Sequence, residues 1–141
     1  MPKITISTGD KESVVLGGLV FEVLQRTIDD DGGYSIEVYG EADRETQVLR
    51  FDCFRKDPHY HMPPSAPGQL GLDAAEVGNG VEWALEQVRE NLPEMISKAG
   101  FEALASDLDA DLFRTSWELI RDAVDRAPEP SHTAVYDLPS E

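Results

Sequence analysis

Apolar and polar residues alternate along the first third of the chain, and the period then lengthens to that of a helix. Ile4 and Ile6 alternate with Lys3, Thr5 and Ser7, and Thr8-Gly9-Asp10-Lys11 supplies turn chemistry. A second apolar run starts at Val14. The pair Gly17-Gly18 inside it predicts a bulge or bend before Leu19, Phe21 and Val23, which share one face. Asp29-Asp30-Asp31-Gly32-Gly33 is the strongest turn signal in the sequence. Tyr34, Ile36 and Val38 follow on one side of a third strand, and Leu49, Phe51 and Cys53 form the apolar row of a fourth, from about residue 46 to 55. Each strand is apolar on one side only, so the expected sheet is antiparallel with one covered face.

From residue 57 to 80 prolines and glycines replace the pattern, as in a long, functional or mobile loop. Helical spacing then takes over: Val81, Ala84, Leu85, Val88, Leu92, Ile96 and Ala99 recur every three or four residues. Pro93 predicts a kink or a restart, and Gly100 a stop. A last helix is expected to about Arg126, opened by a capping box at Ser106 and Asp109 and burying Leu112, Phe113, Trp117, Ile120 and Val124. The predicted fold class is therefore α+β, a four-stranded antiparallel β-meander followed by two or three C-terminal helices packed on one face. One domain spans 1–127, with the meander at 1–56, the Pro/Gly loop at 57–80 and the helical part at 81–127. Residues 128–141 are expected to form a flexible acidic tail, with Ala134-Val135-Tyr136 able to add to a sheet edge.

Charge narrows the partners. The 141 residues carry 12 Lys+Arg against 28 Asp+Glu, a net charge of −16; residues 1–70 hold 7 basic and 12 acidic side chains, and residues 71–141 hold 5 and 16. Such a surface repels phosphate backbones and anionic lipid, so nucleic acid and membrane are poor partners and a protein partner or a second copy is the better one. The N-terminal alternation is not the apolar run of a signal peptide, and cytoplasmic location is the expectation. Cys53 is the single cysteine, too few for a disulfide or a multi-cysteine zinc site.

Positive charge gathers in one place, the segment from Arg50 to His61, which holds three of the 12 basic residues and two of the three histidines. On an extended chain Asp57, His59 and His61 would share a face, and two imidazoles with a carboxylate form a recurring ligand set for zinc or iron(II). Arg50 and Asp52 are expected on the other face. A metal-free alternative uses His59, His61 or Asp52 for proton transfer, with Arg50, Arg55, Lys56 and Tyr60 holding an anion or partner. A structural or partner-binding role for the segment ranks ahead of both, since His-x-His alone is a common pattern. A second acidic stretch, Asp107, Asp109, Asp111 and Glu118, resembles a calcium loop of the EF-hand family over 12 residues. Leu112 stands where that loop needs glycine, and acids that complement a helix N-terminus explain the cluster better, so calcium is not expected.

The run Phe51-Asp52-Cys53-Phe54-Arg55-Lys56-Asp57-Pro58-His59-Tyr60-His61 resembles the strand end of an uncharacterised bacterial family of small domains of unknown function, a resemblance that implies no activity. A looser similarity is to toxin–antitoxin components that combine a β-meander with a His-x-His strand end; the acidity suits an antitoxin-like or regulatory member better than a ribonuclease. The leading expectation is a non-enzymatic interaction or regulatory domain, homodimeric. The alternative is a small metal-dependent or histidine-dependent hydrolase acting on phosphate esters through residues 50–61.

Overall fold

The computed structural model describes residues 2–138. Strands β1 (Lys3–Thr8), β2 (Glu12–Leu16), β3 (Leu19–Ile28), β4 (Asp31–Gly40), β5 (Gln47–Phe54), β6 (His59–His61) and β7 (Leu70–Gly71) precede six helices, and β8 (His132–Asp137) follows them. The helices are α1 (Ala74–Val77), α2 (Gly80–Glu90), α3 (Leu92–Lys98), α4 (Glu102–Ser106), α5 (Ala110–Ser116) and α6 (Glu118–Arg126). The fold is α+β, with one antiparallel sheet ordered β7-β6-β5-β4-β3-β1-β8 and β2 pairing beside β1 on the same edge of β3.

The sheet has eight strands where the sequence predicts four. Gly17 and Gly18 adopt φ of 62° and 97°, so they form a tight turn rather than a bulge, and residues 12–16 fold back on 19–23 as a separate strand. His-Tyr-His and Leu70-Gly71 extend the sheet beyond β5. Where a flexible tail is expected, the chain returns: residues 132–137 pair antiparallel with β1 over its whole length, the edge addition that Ala134-Val135-Tyr136 allows. Pro139 to Glu141 lie outside the described residues.

The helical half is more broken than its periodicity suggests. Asn79 caps α2 by accepting the N–H groups of Val81 and Glu82. Pro93 sits in the first turn of α3, where its missing N–H costs nothing, so the chain restarts instead of kinking. Ser106 ends α4 and bonds back to the Ala103 carbonyl; the expected capping box is replaced by Asp109 alone, which caps α5. Asp111 pairs with Arg114 one turn on. A second break at Trp117 separates α5 from α6.

One face of the sheet, carrying Phe21, Val23, Ile36, Val38, Leu49 and Phe51, packs on Leu85, Val88, Leu92, Ile96, Phe113 and Ile120 of the helices. Phe113 meets Phe21 edge-on at 6.3 Å. A bulge at Val48, between the pairs Val38–Leu49 and Tyr39–Gln47, turns that extra residue into the core while Gln47 stays beside Tyr39 on the opposite face. That opposite face holds the polar groups considered next.

Candidate metal centre

Strand alternation and hairpin register together build the site. On β5, Leu49, Phe51 and Cys53 face the helices, so Arg50, Asp52 and Phe54 face the other way. The turn after Phe54 reverses the chain and sets Asp52 opposite His59 and Arg50 opposite His61. On its other flank Asp52 is paired with Ser35 of β4. Asp31 fixes the reversal: its carboxylate accepts the N–H groups of Gly32, Lys56 and Asp57 at 2.8–3.0 Å. Directly opposite residues across a ladder lie within side-chain reach, so five groups from three strands converge without further adjustment.

Asp52 is the hub, 2% exposed. Its Oδ1 accepts from Ser35 Oγ at 2.7 Å, and its Oδ2 lies 2.9 Å from His59 Nε2, 3.2 Å from His61 Nε2 and 3.2 Å from Arg50 Nε. Burial pushes its pKa up, but hydrogen bonds from His59 and Ser35 and the Arg50 charge outweigh that and hold the carboxyl well below its ordinary value. For His59 burial acts downward; the bonds to Asp52 and to the Asp57 carbonyl prevail, and its pKa is raised. Burial and the Arg50 charge keep His61 below the ordinary imidazole value. Burial also pushes the Cys53 thiol up, so it stays protonated.

The two imidazoles are held differently. His59 Nδ1 donates to the Asp57 carbonyl at 2.8 Å, which turns Nε2 toward Asp52; a backbone carbonyl behind one ring nitrogen is the usual way a metal-binding histidine is oriented. His61 Nε2 sits 3.1 Å from Arg50 Nη2 and 3.2 Å from Asp52 Oδ2. A neutral ring accepts from the guanidinium or donates to the carboxylate through that one nitrogen, never both, so one of the two contacts sets like groups against each other. The ligand atoms of Asp52, His59 and His61 all lie within 4.8 Å of one another, close enough to share one cation. They line a cavity of about 370 Å³ together with Arg26, Arg50, Asp31, Asp57 and Gln69.

Several expected positions are corrected. Arg50 and Asp52 share a face with the histidines because the hairpin folds β6 back beside β5. Asp57 does not join the cluster: its carboxylate is 64% exposed and stands 3.7 Å from the outer nitrogen of His59, and Asp52 takes its place. Arg55 turns to the Gly32 carbonyl, Lys56 pairs with Asp30, and Tyr60 lies on the helical face against Trp83, so none of the three joins Arg50 at the cavity. Arg26 and Ser35 were not foreseen. Both occupy the polar side of their strands, but only the ladder register shows that they border Asp52.

The sequence matches the family described as Domain of unknown function (DUF7700) over residues 13–124. The chain belongs to this family. The DUF7700 stretch contains Arg26, Ser35, Arg50, Asp52, His59 and His61 and leaves β1 and β8 outside. Comparison with curated proteins and with solved structures found no match. Among the described residues no helix is long and apolar enough to cross a membrane.

Proposed function

We propose that this DUF7700 domain binds a divalent transition metal, zinc or iron(II), through Asp52 Oδ2, His59 Nε2 and His61 Nε2, and uses it to activate water for hydrolysis of a small molecule. The convergence of those three atoms on one point of the cavity carries the reading. Two imidazole nitrogens and one carboxylate oxygen suit both ions and leave coordination positions open. Ligands about 2.0–2.2 Å from an ion lie roughly 3 Å apart, and the two contacts to Asp52, 2.9 and 3.2 Å, have that spacing. An ion at this point would take both Nε2 lone pairs and replace the contact of His61 with Asp52, and Arg50 Nη2 would turn to another acceptor. Zinc held by these residues would supply a bound water that ionises near neutrality and could serve as the nucleophile.

The test is metal content and metal-dependent stability of protein made without a histidine tag. One equivalent of zinc or iron is expected. Addition of zinc at a hundredfold excess over its Kd is expected to stabilise the EDTA-treated protein by about 2.7 kcal/mol. His59→Ala and His61→Ala should each abolish that gain while remaining folded. No retained metal and no shift in melting temperature would remove the proposal.

A second reading has its own support. β8 borders the sheet with Val135 and Tyr136 about half exposed, and an open strand edge pairs readily with another chain. The interaction role inferred from the acidity, regulatory or antitoxin-like, would use this edge, with a second copy as the simplest partner. Sedimentation of the full chain against a Val135→Lys variant decides it: a monomer in both cases ends that reading.

A further inference from the structure

Among the described residues, Arg26 is the one cationic group lining the cavity that makes no hydrogen bond to Asp52. It projects from β3, where it pairs with Gly33 of β4, and its guanidinium borders the cavity near Asp52. Its Nη1 stops 3.9 Å from Asp52 Oδ1, too far for a hydrogen bond, and its Nε is buried with no hydrogen-bond partner among the described residues. A buried donor left unpaired is costly, and more so on a charged group. The side chain is 19% exposed and its pairing with Asp52 is loose, so the guanidinium can take a second anion without giving up a hydrogen bond to that carboxylate.

We infer that Arg26 is the docking group for a small monoanionic carboxylate that enters the cavity beside the metal, an inference that rests on the metal site proposed above. The guanidinium fork matches a carboxylate bidentately. Charge selects the monoanion. Two arginines against three aspartates around the cavity leave one net negative charge, and a divalent ion converts it to one positive. A carboxylate then neutralises the site, whereas a phosphate dianion leaves an excess negative charge beside Asp31 and Asp57. A cavity of about 370 Å³ lies within the range of small-molecule sites. With Arg26 about 4 Å from the metal-binding carboxylate, a docked anion presents its neighbouring atoms to the metal's open positions.

The experiment loads the full chain with cobalt(II) and follows the visible spectrum while sodium acetate or inorganic phosphate is added. Acetate is expected to change the spectrum saturably, with phosphate at least tenfold weaker. Arg26→Met should retain cobalt and lose acetate affinity at least tenfold; Arg26→Lys, which keeps the charge without the fork, should fall between. An acetate response unaltered in Arg26→Met overturns the inference, as does phosphate binding as tight as acetate. Should Arg26→Met fail to fold, acetate affinity in Arg26→Lys equal to that of the unaltered protein overturns it. Cobalt bound with no acetate response refutes the docking role and leaves the metal site standing. Cobalt not bound at all refutes both.

Discussion

Replacing Asp52 by asparagine tests the organising role of its carboxylate directly. The substitution keeps the volume and the acceptor for Ser35 Oγ and removes one buried negative charge. His59 can answer by giving up a proton. Arg50 cannot, and with 23% of its side chain exposed it is left mostly in protein without its counter-charge. Removing one partner of a buried pair costs about 3–5 kcal/mol. The residual exposure of Arg50 and the adjustable charge of His59 place the effect at the low end, about 3 kcal/mol. At this chain length each kcal/mol moves the melting temperature by about 3 °C, so a fall of about 9 °C is expected. The assay is thermal and urea unfolding of the EDTA-treated protein, so that any metal contribution is excluded. The double variant Asp52→Asn/Arg50→Gln should recover at least about 1 kcal/mol relative to the sum of the single changes, as coupled neighbours do. A loss below about 1 kcal/mol, within the spread of ordinary surface changes, or strict additivity in the double variant, would show that the carboxylate does not hold the cluster together.

Ser35→Ala removes a fully buried hydrogen bond to a charged acceptor and should cost about 1.5–3 kcal/mol in urea unfolding, with metal stoichiometry unchanged. Gly17→Ala forces a side chain onto a backbone at φ 62° and within 2.7 Å of the Phe113 ring; a loss above about 1 kcal/mol is expected, read as a lower urea midpoint. Burial pushes Asp31 up, but the three backbone N–H groups it accepts prevail and lower its pKa from the ordinary 3.8. Its contribution to stability is therefore complete above pH 3.8 and disappears as the pH falls through the lower folded value. Between pH 5 and 2.5, Asp31→Asn should start less stable than the unaltered protein and converge with it.

The strands that pack on the helices were readable because a buried face leaves a period-two signature, as Phe21-Val23 and Ile36-Val38 do. Short strands were less so: Ala134-Val135-Tyr136 allows an edge strand, but the pattern sets neither its partner nor its extent. Residues 132–137 are exposed almost throughout and hold their place through backbone pairing to β1, which leaves little trace in side-chain pattern. Pro93 marks the restart after Asn91, but the helix break at Trp117 escaped for a related reason: the apolar spacing continues across it although the backbone does not. Within the site, Asp52, His59 and His61 stood out as residue types, yet proximity in sequence favoured Asp57 over Asp52. The hairpin decides between them, and its register depends on Asp31, some twenty residues upstream of the strand end it fixes. Arg26 and Ser35 reach the cluster across two further ladders, information that one strand's own pattern does not contain.

The pairing of β1 with β8 joins segments from opposite ends of the described chain, from Lys3 with Asp137 to Thr8 with His132. The other ladders link strands that are neighbours in sequence or, for β1 with β3, one strand apart, whereas this one closes a loop of well over a hundred residues before any of its bonds can form. It buries almost no side chain on the β8 side, so little resists its release. The outer ribbon should therefore unzip as a unit while the β5–β6 hairpin stays intact, and its amide protons should exchange with deuterium long before those of Phe21 or Val38.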